Sequence, residues 1–201
     1  LRYIDAKRDH FRILAREKGY RSRSAFKLIQ LNEKYNFLTN SKVVVDLGCS
    51  PGGWLQVISR YVKESRMIVG VDINSIDPLK NITFVRKDVG DPKLPEFLLK
   101  IAGSPFDLVL SDLAPRVSGI WEYDQARQIS ISLNALRVAS SVLRLGGNAV
   151  FKLFEGEMMG DFKKEASQIF AKTITAKPKA SRQQSSEIYI ICKTYCRVQV
   201  S

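Results

Sequence analysis

Val45-Asp46-Leu47-Gly48-Cys49-Ser50-Pro51-Gly52-Gly53-Trp54 is the stretch on which the fold turns. The β-branched run Val43-Val44-Val45 leads into it, and its glycines permit a tight turn that lets a ligand touch the backbone at the carboxyl edge of a sheet. From Gly48 the spacing is G-x-x-x-G-G, not the G-x-G-x-x-G of a dinucleotide fingerprint, and no Gly-Lys-Ser/Thr follows to make a P-loop. A pyrophosphate cradle is therefore disfavoured. Outward from the loop, apolar runs recur at Met67 to Val71, Ile82 to Val85, Phe106 to Leu110 and Asn148 to Phe151, separated by segments long enough for helices. That alternation predicts an α/β fold with a parallel sheet. The best helical pattern is Gln125 to Leu145, with Ile129, Leu133, Leu136 and Leu143 on one face and Gly146-Gly147 marking its end. Thr173 to Ala176 and Ile188 to Cys196, joined by a basic loop rich in Ser and Gln, predict a closing hairpin with antiparallel character. Upstream, Asp5 to about Gly19 and Ser22 to about Tyr35 read as two basic helices, the second entered through Ser22 as N-cap. No repeat or linker divides the chain, so residues 1–201 read as one domain: a basic helical segment, 1–40, and an α/β core, 41–201.

At 201 residues, 45% apolar and 26% charged, the composition is that of an ordinary globular protein and excludes a disordered tail. The apolar runs suit buried strands and fall short of a membrane span. The chain opens Leu-Arg-Tyr-Ile-Asp-Ala-Lys-Arg without the apolar stretch of a secretory signal, so a cytoplasmic location and no membrane partner are expected. With three cysteines and one histidine, a zinc site, a Ser-His-Asp triad and a Cys-His pair all lack parts, and no metal is expected.

The formal net charge of +12 is unevenly spread. Residues 1–27 hold nine basic side chains against three acidic ones, and residues 172–183 hold four against none. A solvated face mixes signs, so this segregation points to a polyanion, nucleic acid before membrane. Phe11, Leu14, Tyr20 and Phe26 lie among these charges at a spacing that docks a helix on a core more readily than it stacks on bases.

Acidic residues stand at the ends of successive strands: Asp46, Asp72, Asp88 and Asp112. Four carboxylates along one edge repel a phosphate and suit a cation. Asp72, ending the second strand, is placed to accept hydrogen bonds from both hydroxyls of a ribose, and Asp88 to reach an adenine amino group. S-adenosylmethionine, which carries an adenosine, no phosphate, an ammonium and a sulfonium, matches that rim. The bland alternative is that each Asp caps the next helix.

Asp-Leu-Gly-Cys-Ser-Pro-Gly-Gly-Trp (46–54), Ser-Asp-Leu-Ala-Pro-Arg-Val-Ser-Gly (111–119), Phe-Lys-Leu-Phe-Glu-Gly (151–156), Ser-Ser-Glu-Ile-Tyr-Ile (185–190) and Gly-Tyr-Arg-Ser-Arg-Ser-Ala-Phe-Lys-Leu (19–28) together resemble the FtsJ-type ribosomal RNA 2′-O-ribose methyltransferases, in order and over nearly the whole chain. The resemblance implies a Rossmann-like methyltransferase fold, mostly parallel with an antiparallel C-terminal strand and helices on both faces. It implies a catalytic set of Lys27, Asp112, Lys152 and Glu187, and a cofactor site of Gly52, Trp54, Asp72, Asp88 and Asp112. Arg21 and Arg23, with Lys27, are expected to bind RNA. Arg116 stands where many members carry Asn.

The chemistry asks for a group that aligns a ribose 2′-hydroxyl behind a sulfonium methyl and takes its proton. Lys152 is assigned that role as the end of the central fifth strand, because a lysine inside Val-Phe-Lys-Leu-Phe needs a reason. Asp112 would orient it, Glu187 would hold Lys152 or Lys27, and Lys27 would fix the ribose or its phosphate. The expected substrate is large-subunit ribosomal RNA within the large ribosomal subunit, with uridine as the expected nucleotide and no obligate protein partner. Ser111 before Asp112 and the chain's end soon after its last strand weigh against the first alternative, tRNA. The second alternative is an inactive RNA-binding protein.

Overall fold

Runs of Val, Ile and Leu, buried almost throughout in the central strands, build a seven-stranded sheet in the order β3-β2-β1-β4-β5-β7-β6. The structure, a computed structural model, describes residues 10–62, 66–182 and 184–196. In chain order the elements are α1 (His10–Glu17), α2 (Ser24–Tyr35), β1 (Val43–Leu47), α3 (Gly53–Tyr61), β2 (Met67–Asp72), β3 (Thr83–Arg86), α4 (Leu94–Ala102), β4 (Phe106–Ser111), α5 (Trp121–Val142), β5 (Leu143–Phe154), α6 (Met159–Ile169), β6 (Phe170–Ala176) and β7 (Glu187–Tyr195). Strands β1 to β5 pair in parallel, and β7 runs antiparallel between β5 and β6. The expected Rossmann-like α/β architecture with its closing hairpin is what forms.

Side-chain parity assigns each residue a face. Val43, Val45, Leu47, Val109, Phe151, Leu153, Ile188 and Ile190 pack with α4, α5 and α6. Val44, Leu108, Leu110, Val150, Tyr189 and Ile191 pack with α2 and α3. Lys152 and Asp46 share the parity of the second set and lie 5% and 0% exposed. The strand order reverses between β1 and β4, where open α/β sheets form a crevice beyond their carboxyl ends. There Leu47 pairs with Ser111, so Gly48 and Asp112 emerge side by side. Gly48 has φ +79°, and a Cβ on it would meet Leu113 Cδ2 at 2.7 Å, which is why this turn takes glycine.

Several boundaries differ from the sequence expectation. Helix α5 spans Trp121–Val142, four residues earlier at its start than the Gln125 to Leu145 pattern, and Gly146-Gly147 lie inside β5. Phe106 pairs with Leu143 but Leu108 with Asn148, so residues 144–147 form an irregularity in the ladder, and Gly146 takes φ +76° there. A helix C-cap and such a bulge both demand a left-handed residue, and the sequence shows only the demand. Ser22 does not cap α2: the N-cap is Arg23, without a side-chain bond, and Ser22 Oγ meets Ser24 Oγ at 2.7 Å. The first helix is seen from His10, and the expected turn from Asp5 lies outside the described residues. Phe11 and Tyr20 both pack on Phe26, at 5.7 and 5.6 Å between ring centres, docking the N-terminal helices as expected.

Candidate active site

Loop 48–52 and the ends of β2, β3 and β4 surround a cavity of about 140 Å³ lined by Gly48, Asp72, Ile73, Asp88, Val89, Leu113 and Ala114 among others. Whole small-molecule sites measure roughly 300–1,000 Å³, so this cavity is large enough for only a portion of such a ligand. Asp72 is fixed from three sides: Oδ2 accepts from Ser50 N at 2.9 Å, and Oδ1 from Asn74 N at 2.8 Å and Nδ2 at 3.2 Å. Asp88 Oδ1 accepts from Gly90 N at 2.7 Å. The following helices α3, α4 and α5 begin at Gly52, Lys93 and Ile120 without side-chain caps, so these carboxylates are not helix caps.

Asp46, one of the four acids expected at this edge, is set apart by its surroundings. Its carboxylate is fully buried, and neither oxygen has a hydrogen-bond partner. Burial first, then the charges of Asp112 and Asp72, push its carboxyl well above the usual carboxylate range. Burial and like charge favour the neutral acid here, and a cationic ligand beside this cluster of three would draw Asp46 into its ionised form, whereas an anionic one would not.

Of the expected cofactor residues, Asp72 and Asp88 line this cavity, and Gly52, Trp54 and Asp112 lie around it. Trp54 lies in the first turn of α3 and points into the core, 2% exposed, with Nε1 donating to Ser24 O at 2.9 Å and its ring 5.9 Å from Tyr189. It supports the loop from beneath instead of lining the cavity. Gly52, at φ +107°, is faced by Arg21, whose Nη1 would lie 2.8 Å from a Cβ there.

The four expected catalytic residues gather as two ion pairs. Lys152 Nζ donates to Asp112 O at 2.6 Å and lies 3.2 Å from Asp112 Oδ1. Lys27 Nζ donates to Glu187 Oε2 at 2.5 Å, so Glu187 holds Lys27 and not Lys152. Strand β5 runs two residues past Lys152 to Phe154, and β4 is the central strand of the seven, which corrects the placement of Lys152 at a central strand's end. The antiparallel register sets Lys152 opposite Tyr189 and Phe154 opposite Glu187. That register also brings in Tyr189, which sequence reading passed over: its hydroxyl donates to Asp112 Oδ1 at 2.8 Å. Its place two residues after Glu187, on the same strand face, was the available signal. Burial, then Asp112 and Glu187, push the Tyr189 phenol up, so it remains a donor. From below, Gln128 Nε2 donates to Leu113 O at 3.2 Å and Lys152 O at 3.0 Å, tying together the strand ends that carry Asp112 and Lys152.

A lysine ammonium has three donors. Lys152 directs two positions of its Nζ toward Asp112 O and Oδ1, which leaves the third to face an incoming oxygen, and Lys27 uses one N–H on Glu187, which leaves others to donate.

The two basic segments converge beside this quartet. Arg12, Arg16, Arg21, Arg23 and Arg182 line a cavity of about 710 Å³. Arg23 and Arg182 also line an adjoining one of about 450 Å³ with Lys27, Gln184, Ser185 and Glu187. Burial and then the Arg182 charge lower the Arg23 pKa, a crowding that an anion between them would relieve. Arg21 is engaged differently from the expectation: its guanidinium donates to Pro51 O at 3.2 Å, Asp77 O at 2.7 Å and Pro78 O at 3.1 Å, anchoring the cofactor loop while it lines the groove. Changing Arg23 and Arg182 together to Gln is expected to flatten the dependence of log K on log[salt] for RNA by roughly 1 to 2 units, and to leave cofactor affinity unchanged. Filter binding across a salt series checks this; an unchanged slope would place the RNA elsewhere.

Residues 20–195 match the family model of FtsJ-like methyltransferases. The chain is similar to the ribosomal RNA large subunit methyltransferase E of Cenarchaeum symbiosum, 44% identical over 96% of this chain and 97% of that one. The protein of the same name from Nitrosopumilus maritimus is 38% identical over 96% and 98%. Among solved structures, a ribosomal RNA methyltransferase from Plasmodium falciparum aligns with a TM-score of 0.81 at 30% identity, covering 89% of this chain and 100% of its own.

Proposed function

Because the chain belongs to the FtsJ-like methyltransferase family, we propose that it transfers a methyl group from S-adenosylmethionine to a ribose 2′-oxygen of large-subunit ribosomal RNA, in the cytoplasm, with uridine as the nucleotide. The observation that carries this reading is the Lys152–Asp112 pair at the switch point, flanked by an acidic cavity on one side and a basic groove on the other. The relatives named above support ribosomal RNA as the substrate.

When bound, S-adenosylmethionine supplies a methyl group made electrophilic by its sulfonium. Asp72 and Asp88 would hold its adenosine, and Asp46 and Asp112 would face its positive charges. Arg23 and Arg182 hold the RNA backbone, and Lys27, fixed by Glu187, orients the target ribose. Lys152, acting as the neutral amine, aligns the 2′-oxygen and receives its proton at Nζ, and Asp112, held by Tyr189, keeps it in place and stabilises the ammonium that results. Alignment converts a weak nucleophile into one poised for in-line attack, and proton acceptance avoids a high-energy oxonium.

Purified ribosomal RNA, tRNA and a ribosomal RNA fragment with a 2′-deoxy target nucleotide, each incubated with labelled cofactor, test the reading. Ribosomal RNA is expected to accept methyl, and the deoxy fragment to bind without accepting any. Transfer to tRNA alone would overturn the substrate, and methylation of the deoxy fragment would overturn ribose chemistry.

A further inference from the structure

Trp121 opens α5, the helix that packs on the sheet face opposite α2, and it lies 44% exposed. One face of its ring stacks on Phe154, with centroids 6.1 Å apart and planes 23° from parallel. Phe154 follows Lys152 by two residues on β5, about 7 Å farther along the strand. Trp121 is thus the next aromatic layer outward from the catalytic lysine. Around it Val117, Ile120 and Tyr123 are 70%, 62% and 50% exposed. This surface is held in shape: Asp124 accepts from Ser118 N at 2.7 Å, Ser118 Oγ at 2.8 Å and Gly119 N at 3.0 Å, fastening the loop to the first turn of α5. Arginines frame it. Arg127 lies 4.1 Å above the Tyr123 ring and donates to its hydroxyl at 2.8 Å. Arg116 and Arg127 line a cavity of about 290 Å³ that shares Ile131 with the cofactor cavity.

Held aromatic rings beside cations are the makeup of a single-stranded nucleic-acid platform, in which rings stack on bases and guanidinium groups meet phosphates. We propose that Trp121 stacks on the base next to the methylated nucleotide, and that Arg116 and Arg127 take the phosphates flanking it. The inference rests on the reading of the protein as an RNA methyltransferase and adds a second wall to its substrate channel. RNA enters over the Arg23–Arg182 groove, presents one ribose to Lys152, and leaves over Trp121. Charge complementarity and continuity with the catalytic strand identify the occupant as RNA.

The chain has two tryptophans, and Trp54 is 2% exposed, so acrylamide quenching of fluorescence reports chiefly on Trp121. A ribosomal RNA fragment spanning the target is expected to shield Trp121, and the same fragment with an abasic neighbour to shield it less. Trp121→Ala is expected to raise KM for the fragment by roughly 5- to 150-fold, the usual worth of one stacked base. It should change kcat less and cofactor affinity not at all, and Trp121→Phe should recover most of the loss. The abasic fragment should penalise the wild type but not Trp121→Ala. A KM within twofold of wild type, or an equal abasic penalty in both proteins, would overturn the proposal. So would a loss seen only on assembled subunits, which would make the occupant a protein. If the wild type methylates no fragment while base-dependent shielding persists, stacking stands and the methyltransferase substrate reading falls.

Discussion

Lys152→Ala will lower methyl transfer by about 10²- to 10⁴-fold, the span of general-base catalysis, in single-turnover assays with saturating RNA and cofactor. Affinities for both ligands should stay near wild type, because the lysine's contribution is made mainly in the transition state. The surroundings favour a clean result: Tyr189 still donates to Asp112 Oδ1, and Gln128 still holds the backbone at residue 152. Lys152→Arg separates two roles, since a guanidinium can grip an oxygen but cannot give up a proton near neutral pH. Recovery of most of the rate by Arg would make Lys152 an electrostatic clamp and overturn proton acceptance.

Asp46→Asn will move cofactor affinity and stability in opposite directions. Cofactor binding should draw Asp46 into its ionised form, so Asn, which cannot ionise, should weaken S-adenosylmethionine binding by roughly 10- to 150-fold, the worth of about 1.5–3 kcal/mol for a charged partner. The free protein should gain stability. A carboxyl whose folded-state pKa lies above its unfolded value binds more protons when folded, so stability falls as pH rises from about 4 through the raised value. Asparagine has no such slope. The gain in Tm should therefore be present at pH 7 and vanish near pH 4, as measured by calorimetry without cofactor. Equal affinity in both proteins would separate Asp46 from ligand binding, and a gain independent of pH would remove its titration from the account.

The sheet was legible because central parallel strands buried on both faces must be largely apolar, and Val43 to Val45 or Phe106 to Leu110 admit few other readings. The candidate catalytic quartet was legible as residues but not as partners. Which lysine Glu187 holds depends on the antiparallel register of β7 and the seating of α2, and neither is written locally. Trp54 shows the limit at one residue: adjacency to a ligand loop says nothing about direction, and the helical turn beginning at Gly53 swings its ring into the core. Arg21 shows the same for charge, since a basic stretch reveals its sign but not the three carbonyls that claim one guanidinium. Asp46 was visible as an acid, and only packing makes it a buried one.

The reversal of β7 also decides at which edge of the sheet the last strand ends. Glu187 begins β7 at the catalytic edge, opposite Phe154, whereas Tyr195 ends it beside Phe170 at the far edge. The strand therefore ends at the rear of the sheet, at the edge opposite the one that carries Asp112 and Lys152. A parallel last strand would deliver its terminus into the catalytic mouth. The hairpin thus keeps that mouth free of the strand's own end.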